Sequence, residues 1–283
     1  MLLEREEVNP DRADTEYDRT PISYAAEKGH EEIVKMLLER EVNPDQPDTE
    51  YGRTPISWAA EKGHEGIVKM LLEREEVNPD QPGTKCGRTP ISWAAEKGYE
   101  GIVKILLERE EVNPDQADTA YGLALISWAA LRGYEDVAKM LLEREEVNPD
   151  QADTRYGLTP LLLAVEGGRE AIVKMLLERE EVNPDRADRY GQTPISLAAE
   201  NGHEVIVKML SARVEVNPNQ ADTDICRTPP PLAAQPSNSA ATIIPLQRKR
   251  QWWIEKTRAE RPAVEESRGG AGAPVKGSGE RVW

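Results

Sequence analysis

Three histidines, two cysteines and a recurring set of loop aspartates are the residues of this chain that could bind a metal or act as base or nucleophile. His30, His64 and His203 each follow a turn glycine, in slots that Tyr99, Tyr134 and Arg169 fill elsewhere, so a structural role is expected for them. No His/Cys group has the spacing of a metal site, and neither a Gly-x-Ser-x-Gly elbow nor a phosphate loop occurs. Asp115 with Asp118, and Asp150 with Asp153, have the acid density of a calcium loop. They lack the alternating ligands, glycine and terminal glutamate of an EF-hand, so solvated turns are expected there. The residues imply no enzyme, no cofactor and no metal site.

The elements that position these residues recur along the chain. Thr-Pro-Ile-Ser-Trp-Ala-Ala-Glu-Lys-Gly at 54–63 returns at 89–98, and the turn glycines Gly29, Gly63, Gly98, Gly133, Gly168 and Gly202 step by 34 or 35 residues. Such a period belongs to stacked helical hairpins, in which each unit contacts only its neighbours and the product is a long surface in place of a pocket. In the unit at 54–88, Thr54 N-caps a helix with Pro55 at its first position, where a missing N–H costs nothing. Ile56, Ala59 and Ala60 share one face, and Gly63 ends the helix. A second helix starts near Glu65 and carries Ile67, Val68, Met70, Leu71 and Leu72. The turn-forming run from Glu75 to Thr84 then reads as an exposed finger.

At this point the pattern Gly-x-Thr-Pro-Ile-Ser-x-Ala-Ala-x-x-Gly-His followed by Ile-Val-x-x-Leu-Leu resembles the ankyrin repeat, over roughly residues 16–217 as six units. The Ser-Trp-Ala-Ala-Glu-Lys-Gly wording with its Val-Asn-Pro-Asp loop looks like repeats common in filamentous fungi, including those attached to NACHT-type signalling proteins. The resemblance implies an all-α solenoid of stacked helix-turn-helix units with long fingers, working as a non-enzymatic protein-binding scaffold. The alternative is a recognition segment of a larger NACHT-type signalling protein. Ser23, Ser57, Ser92, Ser127 and Ser196, with Leu162, replace the family's usual histidine, so its buried hydrogen bonds must be remade or absent. The family's glycine after the second helix is replaced by Glu-Arg-Glu-Glu, so that helix is expected to run on slightly.

Trp58, Trp93 and Trp128, with Tyr24, Leu163 and Leu197 at the same position, fall where the family packs side chains between units. The resemblance places partner contacts around each finger and the exposed end of the first helix. These are Tyr17, Tyr51, Arg53, Lys62, Arg88, Lys97, Tyr121, Leu123, Leu131, Arg132, Tyr156, Leu158 and Tyr190. The tyrosines suit amphipathic anchors. Leu123, Leu131 and Leu158, standing where other units carry polar side chains, suggest an apolar hot spot on the surface. The fourth unit also has Ala124-Leu125 in place of Thr-Pro and reads as the weakest link.

Net charge is −16; from Pro245 onward nine Lys or Arg stand against five Asp or Glu, leaving −20 on the remainder. An acidic array repels phosphate backbones and anionic lipids, so a protein partner is expected, with no nucleic acid on the array and no membrane. No apolar run approaches the roughly 18 residues of a membrane span, and Met1-Leu2-Leu3 leads directly into Glu-Arg-Glu-Glu, unlike a signal peptide. An intracellular protein, cytoplasmic or nuclear, is expected. Cys86 and Cys226, four repeats apart in a stiff stack, are not expected to pair. Residues 1–15 read as a truncated half repeat, which would leave an uncapped end open to end-to-end self-association. Residues 218–235 read as a degenerate seventh half repeat and 236–283 as a disordered tail, with Arg248-Lys249-Arg250 beside Trp252-Trp253 as a solvated basic run.

Overall fold

A computed structural model describes residues 9–40 and 42–213 of the chain. Residues 1–8, the seventh half repeat, the tail with its basic run, and Cys226 lie outside the described residues. The described residues all belong to one compact unit within Met1–Asn238, and Ser239–Trp283 lies outside them.

The described residues form twelve helices in six hairpins, with no strand among them. The first helices of the hairpins are α1 (Pro21–Lys28), α3 (Pro55–Lys62), α5 (Pro90–Lys97), α7 (Leu125–Arg132), α9 (Pro160–Glu166) and α11 (Pro194–Glu200). The second helices are α2 (Glu31–Leu38), α4 (Glu65–Leu72), α6 (Glu100–Leu107), α8 (Glu135–Leu142), α10 (Glu170–Leu177) and α12 (Glu204–Ser211). Each hairpin packs its two helices together, first helices stack on first helices, and second on second, giving two parallel layers. Helices of seven or eight residues are too short to persist alone, so the stacking holds them. Ile56, Ala59 and Ala60 face Ile67, Val68 and Leu71 with no side chain exposed, and the alanines permit close approach.

Local chemistry sets the helix ends. Thr20, Thr89, Thr159 and Thr193 accept the backbone N–H of the residue three positions on, with proline following at the first helical position. Gly63 closes α3 in the left-handed region at φ 81°, which a side chain would strain. The missing histidine bonds are remade at shorter reach, the Thr and Ser hydroxyls pairing at 3.1, 3.2 and 3.0 Å in the first three units. In the fourth unit Ala124 gives no such cap, and the Ser127 hydroxyl is buried without a partner.

The second helices of the first five units stop at Leu-Leu and do not run on as helix. One tighter turn follows, as in the Arg74 N–H to Leu71 carbonyl bond of 3.0 Å. Arginine from the next Glu-Arg-Glu-Glu then does what a terminal glycine motif does elsewhere. Arg109, Arg144 and Arg179 donate to the carbonyls of Leu72, Leu107 and Leu142 at the ends of the preceding second helices. No helix among the described residues is long and apolar enough to cross a membrane.

Candidate interaction surface

Every finger but the third is built on an aspartate that turns inward. Asp14 accepts from the Glu16 and Tyr17 amides at 2.8 and 2.7 Å, and Asp48 and Asp118 accept from the Tyr51 and Tyr121 amides at 2.6 Å. Their other oxygen takes the aromatic of the following helix. Trp58 and Trp128 donate Nε1–H to Asp48 and Asp118 at 3.0 and 2.9 Å, and the Tyr24 hydroxyl donates to Asp14 at 3.1 Å. The solvated-turn expectation is corrected for Asp118 and Asp153, which are buried because the turn amides they satisfy would otherwise be buried unpaired. A periodic signal was present, since an aspartate precedes the finger tyrosine in units one, two, four, five and six.

Unit three breaks that period. Gly83 stands in the aspartate's place, and the Trp93 Nε1 is buried without a partner. Gly83→Asp is expected to stabilise the protein by about 1–2 kcal/mol, by supplying the missing acceptor for the indole and the turn amides. An added Cβ meets the Tyr51 carbonyl at 3.0 Å, which a shift of a few tenths of an ångström relieves. A urea midpoint that stays put or falls would count against this account.

Above the aspartates runs a column of alternating guanidinium groups and rings. Arg19 lies 4.2 and 4.3 Å from the Tyr24 and Trp58 ring centroids, Arg53 4.5 and 3.9 Å from those of Trp58 and Trp93, and Arg88 4.5 and 4.6 Å from those of Trp93 and Trp128. Each arginine also pairs with the glutamate eight residues on: Arg19 with Glu27 at 2.8 Å, Arg53 with Glu61 at 2.7 Å and Arg88 with Glu96 at 2.5 Å. Arg132 turns inward and pairs with Glu96 as well, at 2.9 Å. Arg53, Arg88 and Arg132 are therefore buried parts of the stack, which corrects their assignment as partner contacts.

The same geometry removes the apolar hot spot. Leu123 occupies the position of Arg53 and Arg88, Leu131 that of Glu61 and Glu96, and Leu158 the arginine position of unit five. Their exposures are 1%, 0% and 0%. The fourth unit has exchanged a buried ion pair for an apolar pair, and the sixth carries Gln192 bonded to Glu200 at 3.1 Å. A polar-to-leucine change reads as a sticky surface in a linear sequence, whereas here it is a different filling of one interior site.

What stays accessible is the row of finger tips. Tyr17, Tyr51, Tyr121, Tyr156 and Tyr190 are half-buried. Tyr51 meets Trp58 and Tyr121 meets Trp128 edge-on, at 6.2 and 5.7 Å between centroids. Backbone bonds join successive fingers: Thr49, Thr84 and Thr119 N–H donate to the carbonyls of Tyr17, Tyr51 and Cys86 at 2.9, 2.7 and 2.8 Å, and Arg189 donates to Tyr156 at 2.9 Å. Lys85 bridges two of them, 4.3 Å from the Tyr51 ring centroid and 3.4 Å from Glu50. The Lys62 side chain is 40% exposed, whereas that of Lys97 is 15% exposed and lies 3.6 Å from Glu96. Of the thirteen contact candidates the fingers thus gather the tyrosines, with Lys62 exposed at the end of α3 and Lys97 largely covered.

A second ladder of acids links the loops after the second helices. Asp45 and Asp80 accept the Asn78 and Asn113 amides of the next unit at 3.1 and 3.2 Å, and Asp115 the Asn148 amide at 2.9 Å. The Oδ1 atoms of Asp45 and Asp80 are buried without partners. Burial pushes both carboxyls up to about 6 from an ordinary 3.8, against the opposing amide bond, and raises Asp115 in the same way. The folded chain holds these protons more tightly than the unfolded chain. Their contribution to stability is therefore fully present below pH 3.8 and is lost as pH rises through about 6. Asp45→Asn/Asp80→Asn is expected to raise the thermal midpoint at pH 7 and to flatten its change between pH 4 and about 6. Parallel profiles for the variant and the parent protein would refute it.

His64 completes the unit-to-unit contacts, its Nε2 bonding the Glu27 carbonyl at 3.1 Å with the ring against Gly29. Among the described residues no group of three or more His, Cys, Asp or Glu is placed to hold a metal ion.

No curated protein matches the sequence. Among solved structures, the ankyrin repeat domain of Bcl-3, described as a unique member of the IkappaB protein family, aligns with a TM-score of 0.64 at 21% identity, covering 76% of this chain and 93% of its own. The human ASB11 ankyrin repeat domain aligns with a TM-score of 0.62 at 24% identity, covering 81% and 98%. At such identities the likeness is one of fold. The family model for ankyrin repeats in three copies matches residues 1–82, 76–153 and 126–222. With the paired helices, the fingers and that match in agreement, the chain belongs to the ankyrin-repeat family.

Proposed function

We propose that this protein is a non-enzymatic scaffold that binds a protein partner along its row of fingers. The observation that carries the reading is the finger register. Backbone hydrogen bonds fix successive tips side by side and set half-buried tyrosines at one recurring position. Amphipathic rings held on a rigid frame lose little entropy on binding. Among the groups that could have supported catalysis, His64 bonds a carbonyl and the finger aspartates Asp48 and Asp118 bond turn amides. The acidic balance favours a protein over a nucleic acid or a membrane surface; an intracellular setting, cytoplasmic or nuclear, is part of the same proposal.

The test is a pull-down with the full chain, repeated with Lys85→Glu/Arg155→Glu, two changes on the fingers. Retained proteins are expected to be lost with the helical circular dichroism intact. Equal retention of the same proteins by both forms would sink the assignment. The wording Ser-Trp-Ala-Ala-Glu-Lys-Gly also supports a second reading, a recognition segment of a larger NACHT-type signalling protein. A transcript joining this sequence to a NACHT domain would favour it, and a transcript without one would count against it.

A further inference from the structure

The third finger keeps the backbone of its neighbours without their acid. Gly83 N–H donates to the Arg88 carbonyl at 3.0 Å and Gly87 N–H to the Gly83 carbonyl at 2.8 Å. In unit two Asp48 donates to Arg53 and Gly52 to Asp48, both at 3.0 Å, and in unit four Asp118 donates to Leu123 and Gly122 to Asp118 at 3.1 and 2.9 Å. The turn is therefore formed with or without a carboxylate. The ring behind it is in place too. Arg53 and Arg88 lie 3.9 and 4.5 Å from the Trp93 centroid, as Arg19 and Arg53 lie 4.3 and 4.5 Å from that of Trp58. Yet Trp93 is 7% exposed and its Nε1 has no partner, where the Nε1–H groups of Trp58 and Trp128 donate to Asp48 and Asp118.

Units two and four define what an acceptor must supply here. One oxygen of each aspartate takes the indole N–H, and the other takes the amide three residues on, that of Tyr51 or Tyr121. In unit three the corresponding donors are the Trp93 indole and the Cys86 amide. Two donors aimed at two separate oxygens match a planar carboxylate better than a monatomic anion. The guanidinium groups beside the Trp93 ring favour a negative acceptor over a neutral one. Size is limited as well. A Cβ on Gly83 already meets the Tyr51 carbonyl at 3.0 Å, and the methyl of an unbonded acid needs more room than a bonded carbon does.

We propose that the third finger binds a free monocarboxylate of the size of formate, held between the Trp93 indole N–H and the Cys86 amide at the position that Asp48 and Asp118 fill in the adjoining units. Gly83 and Trp93 are both buried, which favours a small free acid over a side chain carried by a second polypeptide. Occupancy gives this finger the two bonds that its neighbours hold through their own side chains. The site lies inside one turn and does not use the tip tyrosines, so it is independent of the scaffold reading.

The test uses the full chain labelled at the indole nitrogens, titrated with sodium formate and, at matched ionic strength, with sodium chloride. Trp93→Phe identifies the Trp93 resonance by its loss and keeps a ring for both arginines. Formate is expected to move the Trp93 N–H saturably, with a midpoint on the order of millimolar, and to leave Trp58 and Trp128 in place. Acetate is expected to bind more weakly than formate. Formate should also raise the thermal midpoint of the parent protein and lose that effect in Gly83→Asp and in Trp93→Phe. An unmoved or linearly drifting Trp93 resonance, an equal response to chloride, acetate binding as tightly as formate, or a formate effect that survives in either variant would overturn the proposal. So would a capped Gly-Asp-Gly peptide that shifts Trp93 at lower concentration than formate, since a polypeptide carboxylate would then be the ligand.

Discussion

Glu96→Ala is expected to be among the most damaging single changes in this protein, costing about 3–5 kcal/mol of stability. Glu96 is the shared acid of a buried triad, accepting from Arg88 and Arg132, and the three side chains are 1%, 5% and 3% exposed. Removing it strands two guanidinium groups, whose Nε atoms already lack partners, away from water. The Trp93 and Trp128 rings on either side of Arg88 still hold that cation, which places the loss toward the lower end of the range. Glu61→Ala should cost less, because Glu61 serves Arg53 inside and only Lys62 outside, and is 15% exposed. Urea unfolding of both variants checks the order. If Glu61→Ala proves the worse of the two, the triad has been misjudged.

The helix frame was open to sequence reading because its signals are local. Thr-Pro at the start and glycine at the end act within one turn of chain, so Thr20, Pro21 and Gly29 bound α1 as the residues themselves dictate. The interior of the finger side was not, because burial there is decided by the next unit. Arg53 carries a charge and stands beside a turn, which in isolation means surface, yet its guanidinium lies between Trp58 and the Trp93 of the following unit. One linear signal existed. The arginine before Thr-Pro and the glutamate eight residues on are both present in units one to three and both become leucine in unit four. Paired exchange of that kind marks two side chains that touch, and it argues for a shared interior site over two separate surface positions. The positions of the finger tyrosines are set by local turns, and for Tyr51 and Tyr121 the depth of the ring depends on the Trp behind it.

The same exchange makes the fourth unit a test of how the site is filled. Leu131→Glu is expected to destabilise the protein by about 3–5 kcal/mol, because a carboxylate would enter a fully buried position with a leucine where its arginine should be. A surface leucine would have tolerated the change almost without cost. Adding Leu123→Arg should recover part of the loss by recreating the pair that Arg53 and Glu61 make at 2.7 Å. Recovery stays partial, because an arginine at 123 would stack on Trp128 but meet Leu163 in the next unit, where the preceding arginines meet a second ring. The double-mutant cycle therefore separates the two terms. A coupling energy near zero would mean that positions 123 and 131 do not share one site, and the reading of Leu123, Leu131 and Leu158 as interior replacements for an ion pair would fail with it.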